Sequence, residues 1–417
     1  MNFNPFEEKP KKLEACLMSF KELAPKPYKK LESSPYTRVR CILMNGTEYE
    51  SVWFGHQFHR HCNDNDLRRT MALIRRNEKL ISSLKPIDEN LLETTIGYEQ
   101  LAVDLTAFLA QHVSDKNIKN ALDFALLEDF DHLYRYANML ESDMNAKAED
   151  YVGDYTEIMP ARPTISHHRH PYDSVKNPIC NKTATPFDQC AVNIITAAEQ
   201  QTMNYYMNLG GFYKNQKGRE LYTEIALVEE QHVTHYGSLI DPTASWFEMC
   251  LMHEYVECYL YYSMYCDESE ESVKKIWEML LEQEIAHLHA ASKNLKKYEK
   301  KDWQEVIPDG NFPELIALKS NKNYIRNIIK DTVFNTAHRE GYVNINDVPE
   351  NAEFFKYQNK LFKNPKDVAS HKIVQEHIDR FGEDYRVQNS VHPIKELSSR
   401  KEDNVTVGRV HTKNNIN

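Results

Sequence analysis

Six stretches of about twenty residues, grouped as three pairs around short polar turns, dominate the middle of this chain. The first pair covers residues 89–112 and 117–141 and breaks at Ser114-Asp115-Lys116-Asn117. The second covers 186–209 and 219–238. It opens on Thr185-Pro186, a capping residue followed by proline at the first helical position, and breaks at Gly210-Gly211 and Lys214–Gly218. The third covers 242–265 and 270–296, opens on Asp241-Pro242 and turns at Asp267–Glu271. Each stretch predicts a helix about 30 Å long. Glycine usage agrees: 12 of 417 residues, about 3% against an average of about 7%. Sandwiches, barrels and doubly wound sheets need glycine repeatedly at turns of positive φ. The chain also lacks GxGxxG and GxxxxGK[ST] loops, which argues against a nucleotide-binding core.

The flanks read differently. Residues 1–35 are rich in Lys and Pro and are expected to wrap the surface. Thr37–Met44 and Thr47–Trp53 are rich in strand formers and flank Asn45-Gly46, which predicts a β-hairpin over 37–53. Asp66–Leu84 predicts a basic helix, so residues 1–85 form an N-terminal arm, hairpin and helix. The bundle spans 86–300, with a Pro- and His-rich linker over 143–184 between the first pair (89–141) and the second (186–238). The third pair (242–296) follows almost directly. Residues 301–397 predict a C-terminal helical extension, with short helices over 321–337, 350–361 and 365–381 and no evident chemistry. The polar tail 398–417 is expected to be disordered.

One acidic arrangement recurs in all three pairs. Glu99 precedes Asp129-x-x-His132, Glu199 precedes Glu229-x-x-His232, and Glu254 precedes Glu284-x-x-His287. The two acids are 30 residues apart each time. Acid-x-x-His alone arises by accident in a chain with 62 acids and 18 histidines. Two further acids at a preset spacing arise only about 2% of the time. Each pair of acids is also nearly equidistant from its turn, so an antiparallel hairpin puts both carboxylates at one height. The point midway between Glu229 and Glu254 falls on a turn as well, so the second and third pairs can share a level. These ionisable groups continue apolar stripes such as Tyr222, Ile225 and Ala226 rather than a solvated face. Buried carboxylates are costly unless paired or metal-bound. Carboxylate with imidazole suits iron or manganese better than zinc.

This pattern, a Glu on one helix and Glu-x-x-His on its partner, repeated, resembles the ferritin-like di-iron and di-manganese carboxylate bundles, among them rubrerythrins, bacterioferritins and manganese catalases. The resemblance covers about residues 89–296. It implies a mainly α ferritin-like bundle of six long helices in three antiparallel pairs, holding two Fe or Mn ions. It makes Glu199 and Glu254 terminal ligands, Glu229 and Glu284 bridging ligands, and His232 and His287 imidazole ligands. Glu99, Asp129 and His132 are offered by the first pair, and Glu257 resembles the additional carboxylate of rubrerythrin-like sites. The chain departs from the family in having six helices where four are usual, and Asp129 where Glu is usual, with Glu128 adjacent. Connectivity joins pairs one and two, motif perfection joins pairs two and three, and a dimer mate could complete an odd pair. No rubredoxin-type cysteines are present.

Tyr205, Tyr206, Tyr236 and Tyr261 lie within a turn or two of these ligands, and Cys250 and Cys258 flank Glu254. Aromatic stripes and small thiols at such spacing are mostly core. Two histidine clusters, His56, His59 and His61 with Cys62, and His167, His168 and His170, lack a defined scaffold for a metal. The expected function is an oxidoreductase acting on peroxide or dioxygen with an unspecified electron donor. The alternatives are a non-catalytic iron-binding or storage protein and a metal-free helical bundle. The net charge of −11 disfavours a nucleic-acid partner. The absence of a long apolar run or signal-like start, and eight cysteines without CxxC, predict a cytoplasmic protein that does not enter membranes. A homo-oligomer is expected.

Overall fold

The computed structural model describes residues 3–76, 81–382, 386, 391–398, 401–403 and 405–409. They are mainly helical, with one two-stranded antiparallel sheet. Among them no helix is long and apolar enough to cross a membrane.

The three expected pairs are present. Helix α3 (Leu91–His112) starts at Asn90, whose side chain accepts from the Glu93 backbone N–H while the Glu93 carboxylate accepts from the Asn90 N–H. Three residues later α4 (Lys116–Met144) starts under an Asp115 cap and returns along it. Helix α7 (Pro186–Leu209) starts at Thr185 and packs along α8 (Gln216–Gly237), which Asn215 caps. Helices α9 (Trp246–Asp267) and α10 (Glu271–Glu299) make the third pair. Its start differs from expectation: Ser245 and Glu248 form the capping box, and Asp241 instead accepts from the Thr243 and Asn181 backbones. Between the first two pairs, the linker carries only single-turn helices, α5 (Glu149–Val152) and α6 (Thr164–His167).

The N-terminal hairpin is replaced by helix α1 (Pro35–Arg60), a seventh long helix. Ser34 caps it and Pro35 occupies its first turn, the same start signal that opens α7. Asn45-Gly46 does not turn the chain. A Cβ at Gly46 would lie 2.7 Å from Gln201 Nε2, so the glycine lets α7 approach α1. Gln201 then donates to the Ile42 carbonyl at 2.9 Å and accepts from Asn45 at 2.5 Å. Packing against α3, α7 and α9 thus overrides the local strand preference. The basic helix expected over 66–84 is shorter: α2 (Asn65–Ile74) is followed by a 3₁₀ turn at Ile81–Leu84, and residues 77–80 lie outside the described residues.

In the C-terminal extension α11 (Lys322–Thr332) stops early and yields to β1 (Asn335–His338) and β2 (Gly341–Asn344), paired Asn335 to Asn344. Helices α12 (Glu353–Leu361) and α13 (Ala369–Phe381) follow, and α13 packs on α4 and α8. The described part of the expected disordered tail is folded in. Asp403 pairs with Arg135 at 2.6 Å, and the Val407 carbonyl accepts from Ser166 at 3.2 Å. One apolar core runs between α1, α9 and α10, and a second lies where α4 and α8 meet α11 and α13.

Candidate metal centre

Helices α3, α4, α7 and α8 bring six of the predicted residues together. Glu99, Asp129, His132 and Glu229 offer ligand atoms within 4.8 Å of one another, and so do Asp129, Glu199, Glu229 and His232. Asp129 and Glu229 belong to both groups. All six side chains are buried. His132 Nδ1 lies 3.0 Å from Glu229 Oε1 and 3.9 Å from Glu99 Oε2. His232 Nδ1 lies 3.3 Å from Asp129 Oδ1, 3.3 Å from Glu229 Oε2 and 3.7 Å from Glu199 Oε2. None of these contacts is a well-directed hydrogen bond: both oxygens of Asp129, Glu199 and Glu229, and both Nδ1 atoms, lack a hydrogen-bonding partner.

The far side of each imidazole explains why. His167 Nε2 sits 2.5 Å from the Arg162 carbonyl, which can only accept, so that nitrogen carries the proton. His167 Nδ1 must then accept, and it does so from His132 Nε2 at 3.2 Å. His232 Nε2 donates to Glu128 Oε2 at 2.9 Å. The network therefore assigns one proton to Nε2 of each histidine and turns each Nδ1 toward the carboxylates. Facing anionic oxygens in a buried site, each Nδ1 needs either a second proton or a metal ion between them.

Without a cation the group can only be stabilised by protons. Burial, then Glu229 and Asp129, push the Glu99 carboxyl well above its usual range. Burial and Glu199 do the same to Asp129. Burial, opposed by His232 but reinforced by Glu229, raises Glu199 from 4.5 to about 7. Burial alone would raise Glu229, but His132 and His232 outweigh it and hold it at about 2. Burial would lower His232, yet Asp129, Glu128, Glu199 and Glu229 together push it well above its usual value. A cation takes the place of these protons, so the residues fit a metal.

Glu128 anchors the surroundings. Its carboxylate accepts from Arg169 Nη1 at 3.0 Å, from Arg162 Nη2 at 3.2 Å and from His232. Burial would raise Glu128, but Arg169, His232 and Arg162 hold it well below its usual range. Both guanidiniums lie against the Phe124 ring, at 4.2 and 5.2 Å. The Tyr206 hydroxyl donates to Glu99 Oε1, and its ring stacks on Tyr136 at 5.6 Å. Thus the linker, through Arg162, His167 and Arg169, forms the outer wall of the site. Sequence reading took His167 only as part of a histidine cluster; the usable signal was Arg162 and Arg169 among those histidines.

Of the other tempting residues, His168 packs edge-on to Phe362 and His170 against Tyr172. His59 accepts from Arg68, and His61 stacks on Trp246. Among the described residues none of these joins a convergent ligand group. The C-terminal extension, read as free of chemistry, reaches the site's surroundings through Tyr342, whose hydroxyl lies 2.7 Å from His235 Nε2. Pairs two and three do not pool their ligands. Glu254, Glu284 and His287 form a separate group on α9 and α10, with no residue in common with the other two. Tyr205 bonds Thr95, Tyr236 packs between His232 and His235, and Cys250 and Cys258 are buried thiols outside any disulfide.

No family model matches the chain, and no curated protein or solved structure matches it either.

The raised Glu199 carboxyl has a measurable sign. A group whose folded pKa lies above its unfolded value stabilises fully below the unfolded value, here 4.5, and that contribution is lost as pH rises through about 7. Gln mimics the protonated acid at every pH. In chelator, the stability of Glu199→Gln relative to wild type should therefore rise between pH 5 and 8, by up to about 3 kcal/mol. Urea unfolding at the two pH values measures it. A pH-independent difference would mean that Glu199 carries no extra proton. With saturating Mn(II) the order should invert.

Proposed function

We propose that α3, α4, α7 and α8 form a ferritin-like bundle holding a carboxylate-bridged pair of iron or manganese ions, and that the protein is an oxidoreductase acting on peroxide or dioxygen. The observation that carries this reading is that two buried ligand groups share Asp129 and Glu229. Glu99 and His132 would hold one ion, Glu199 and His232 the other, and Asp129 and Glu229 would bridge them. Two redox-active ions held there would supply the electrons for cleaving an O–O bond, to be restored by an external electron donor or by oxidation of a second peroxide.

The chain's own residues do the positioning. His167 and Glu128 fix which nitrogen of His132 and of His232 faces inward. Tyr206 keeps its hydroxyl proton on Glu99, at the edge of the group. The buried linker excludes bulk water, which strengthens every charge interaction inside.

The test is metal content and peroxide consumption, with and without an added reductant, for wild type and Glu229→Gln. Wild type should hold about two more Fe or Mn per chain than the variant and should turn over peroxide, which the variant should not. Metal without turnover would assign a non-catalytic metal-binding or storage role. A metal-free protein that stays metal-free after reconstitution overturns the reading.

A further inference from the structure

The third helix pair repeats the second in more than its ligand spacing. Tyr206 lies seven residues after Glu199, and Tyr261 lies seven residues after Glu254. Each tyrosine hydroxyl donates to a buried glutamate on a different helix: Tyr206 to Glu99 of α3, and Tyr261 to Glu48 of α1. Helix α1 thus stands to α9 and α10 as α3 stands to α7 and α8. Sequence reading missed Glu48 because it assigned that segment to a hairpin.

The group is built like a ligand set. Glu254, Glu284 and His287 offer atoms within 4.8 Å of one another, and each is at most 2% exposed. His287 Nδ1 lies 2.9 Å from Glu284 Oε2 and 3.8 Å from Glu254 Oε2. Glu254 Oε2 is buried, aimed into the group, and has no hydrogen-bonding partner. Glu257 lies one turn after Glu254 on α9 and is also buried, at 1% exposure. His253 holds Glu257 from the other side, with Nε2 at 3.8 Å, and its Nδ1 lies 3.0 Å from Glu50 of α1. A buried carboxylate oxygen without a hydrogen-bonding partner, aimed at a second carboxylate and an imidazole, is a donor that a cation would satisfy.

We propose that α1, α9 and α10 hold a second, independent site for a divalent first-row transition-metal ion, ligated by Glu254, Glu284 and His287 with Glu257 beside them and Glu48 as the outer carboxylate. The carboxylate and imidazole donors suit Fe(II) or Mn(II). The site does not depend on the reading of the first centre, and its test separates the two.

Chelator-stripped full-length protein is titrated with Mn(II) alone, and free ion is counted by electron paramagnetic resonance. Glu199→Gln/His232→Gln dismantles the first centre and should still bind about one ion per chain. Adding Glu254→Gln/His287→Gln should abolish that binding, and Glu254→Gln/His287→Gln alone should lower the wild-type count by about one. Circular dichroism checks that each variant is helical. A helical Glu199→Gln/His232→Gln chain that binds no Mn(II) overturns the proposal. So does a Glu254→Gln/His287→Gln chain with the wild-type count, which decides the matter alone if the first variant fails to fold.

Discussion

Replacing Glu128 with Gln should destabilise the chain by about 3–5 kcal/mol, among the largest costs expected of any single change outside the ligand groups. The carboxylate is fully buried and is the only anion that ion-pairs with Arg162 or Arg169 among the described residues. Removing its charge leaves two buried guanidiniums against Phe124, with only carbonyls, a serine hydroxyl and His235 Nδ1 as hydrogen-bonding partners among the described residues. Breaking one partner of a buried pair costs far more than replacing the whole pair. Glu128→Gln/Arg169→Met should therefore recover part of the loss, and urea midpoints for the single and double variants measure it. Equal stability of Glu128→Gln and wild type would refute the anchoring role. Metal retention should fall as well, because the single amide oxygen of Gln is contested by His232, Arg162 and Arg169, which weakens the hold on the His232 Nε2 proton.

Chelation should destabilise wild type in proportion to what it removes. Each ion held at one hundred times its dissociation constant adds about 2.7 kcal/mol to the folded state. Stripping a two-ion centre therefore costs about 5 kcal/mol, since the stripped group retains four carboxylates whose repulsion only protons offset. Glu229→Gln should respond to chelator by about 5 kcal/mol less than wild type, because Glu229 is the residue that faces both histidines. Thermal unfolding with and without chelator compares them. An equal response in both proteins would place the metal elsewhere.

The middle of the fold was legible because its signals are local. Caps, turn residues and the 30-residue spacing located all three helix pairs to within a few residues. The spacing also selected the six residues that meet, but not which pairs would meet. That choice is made by how α3, α4, α7 and α8 pack, and the crossover through the linker was the better guide to it than the quality of the motif. Helix α1 was misread because Asn45-Gly46 is a strong turn signal between strand formers. Gly46 is there for contact with Gln201, and a distant neighbour leaves no local mark. Arg162, His167 and Arg169 were visible as residues but not as a wall, because their partners Glu128 and His132 lie more than thirty positions earlier.

The Asp403 and Val407 contacts bear on the order in which the protein is made. Arg135 spans Asp131, one position from a ligand, and Asp403, and Ser166 on the linker is fastened to the Val407 carbonyl. Synthesis is directional, so every ligand-bearing helix leaves the ribosome well before these fasteners exist. A chain that stops before Asp403 therefore leaves Arg135 and Ser166 without these two restraints.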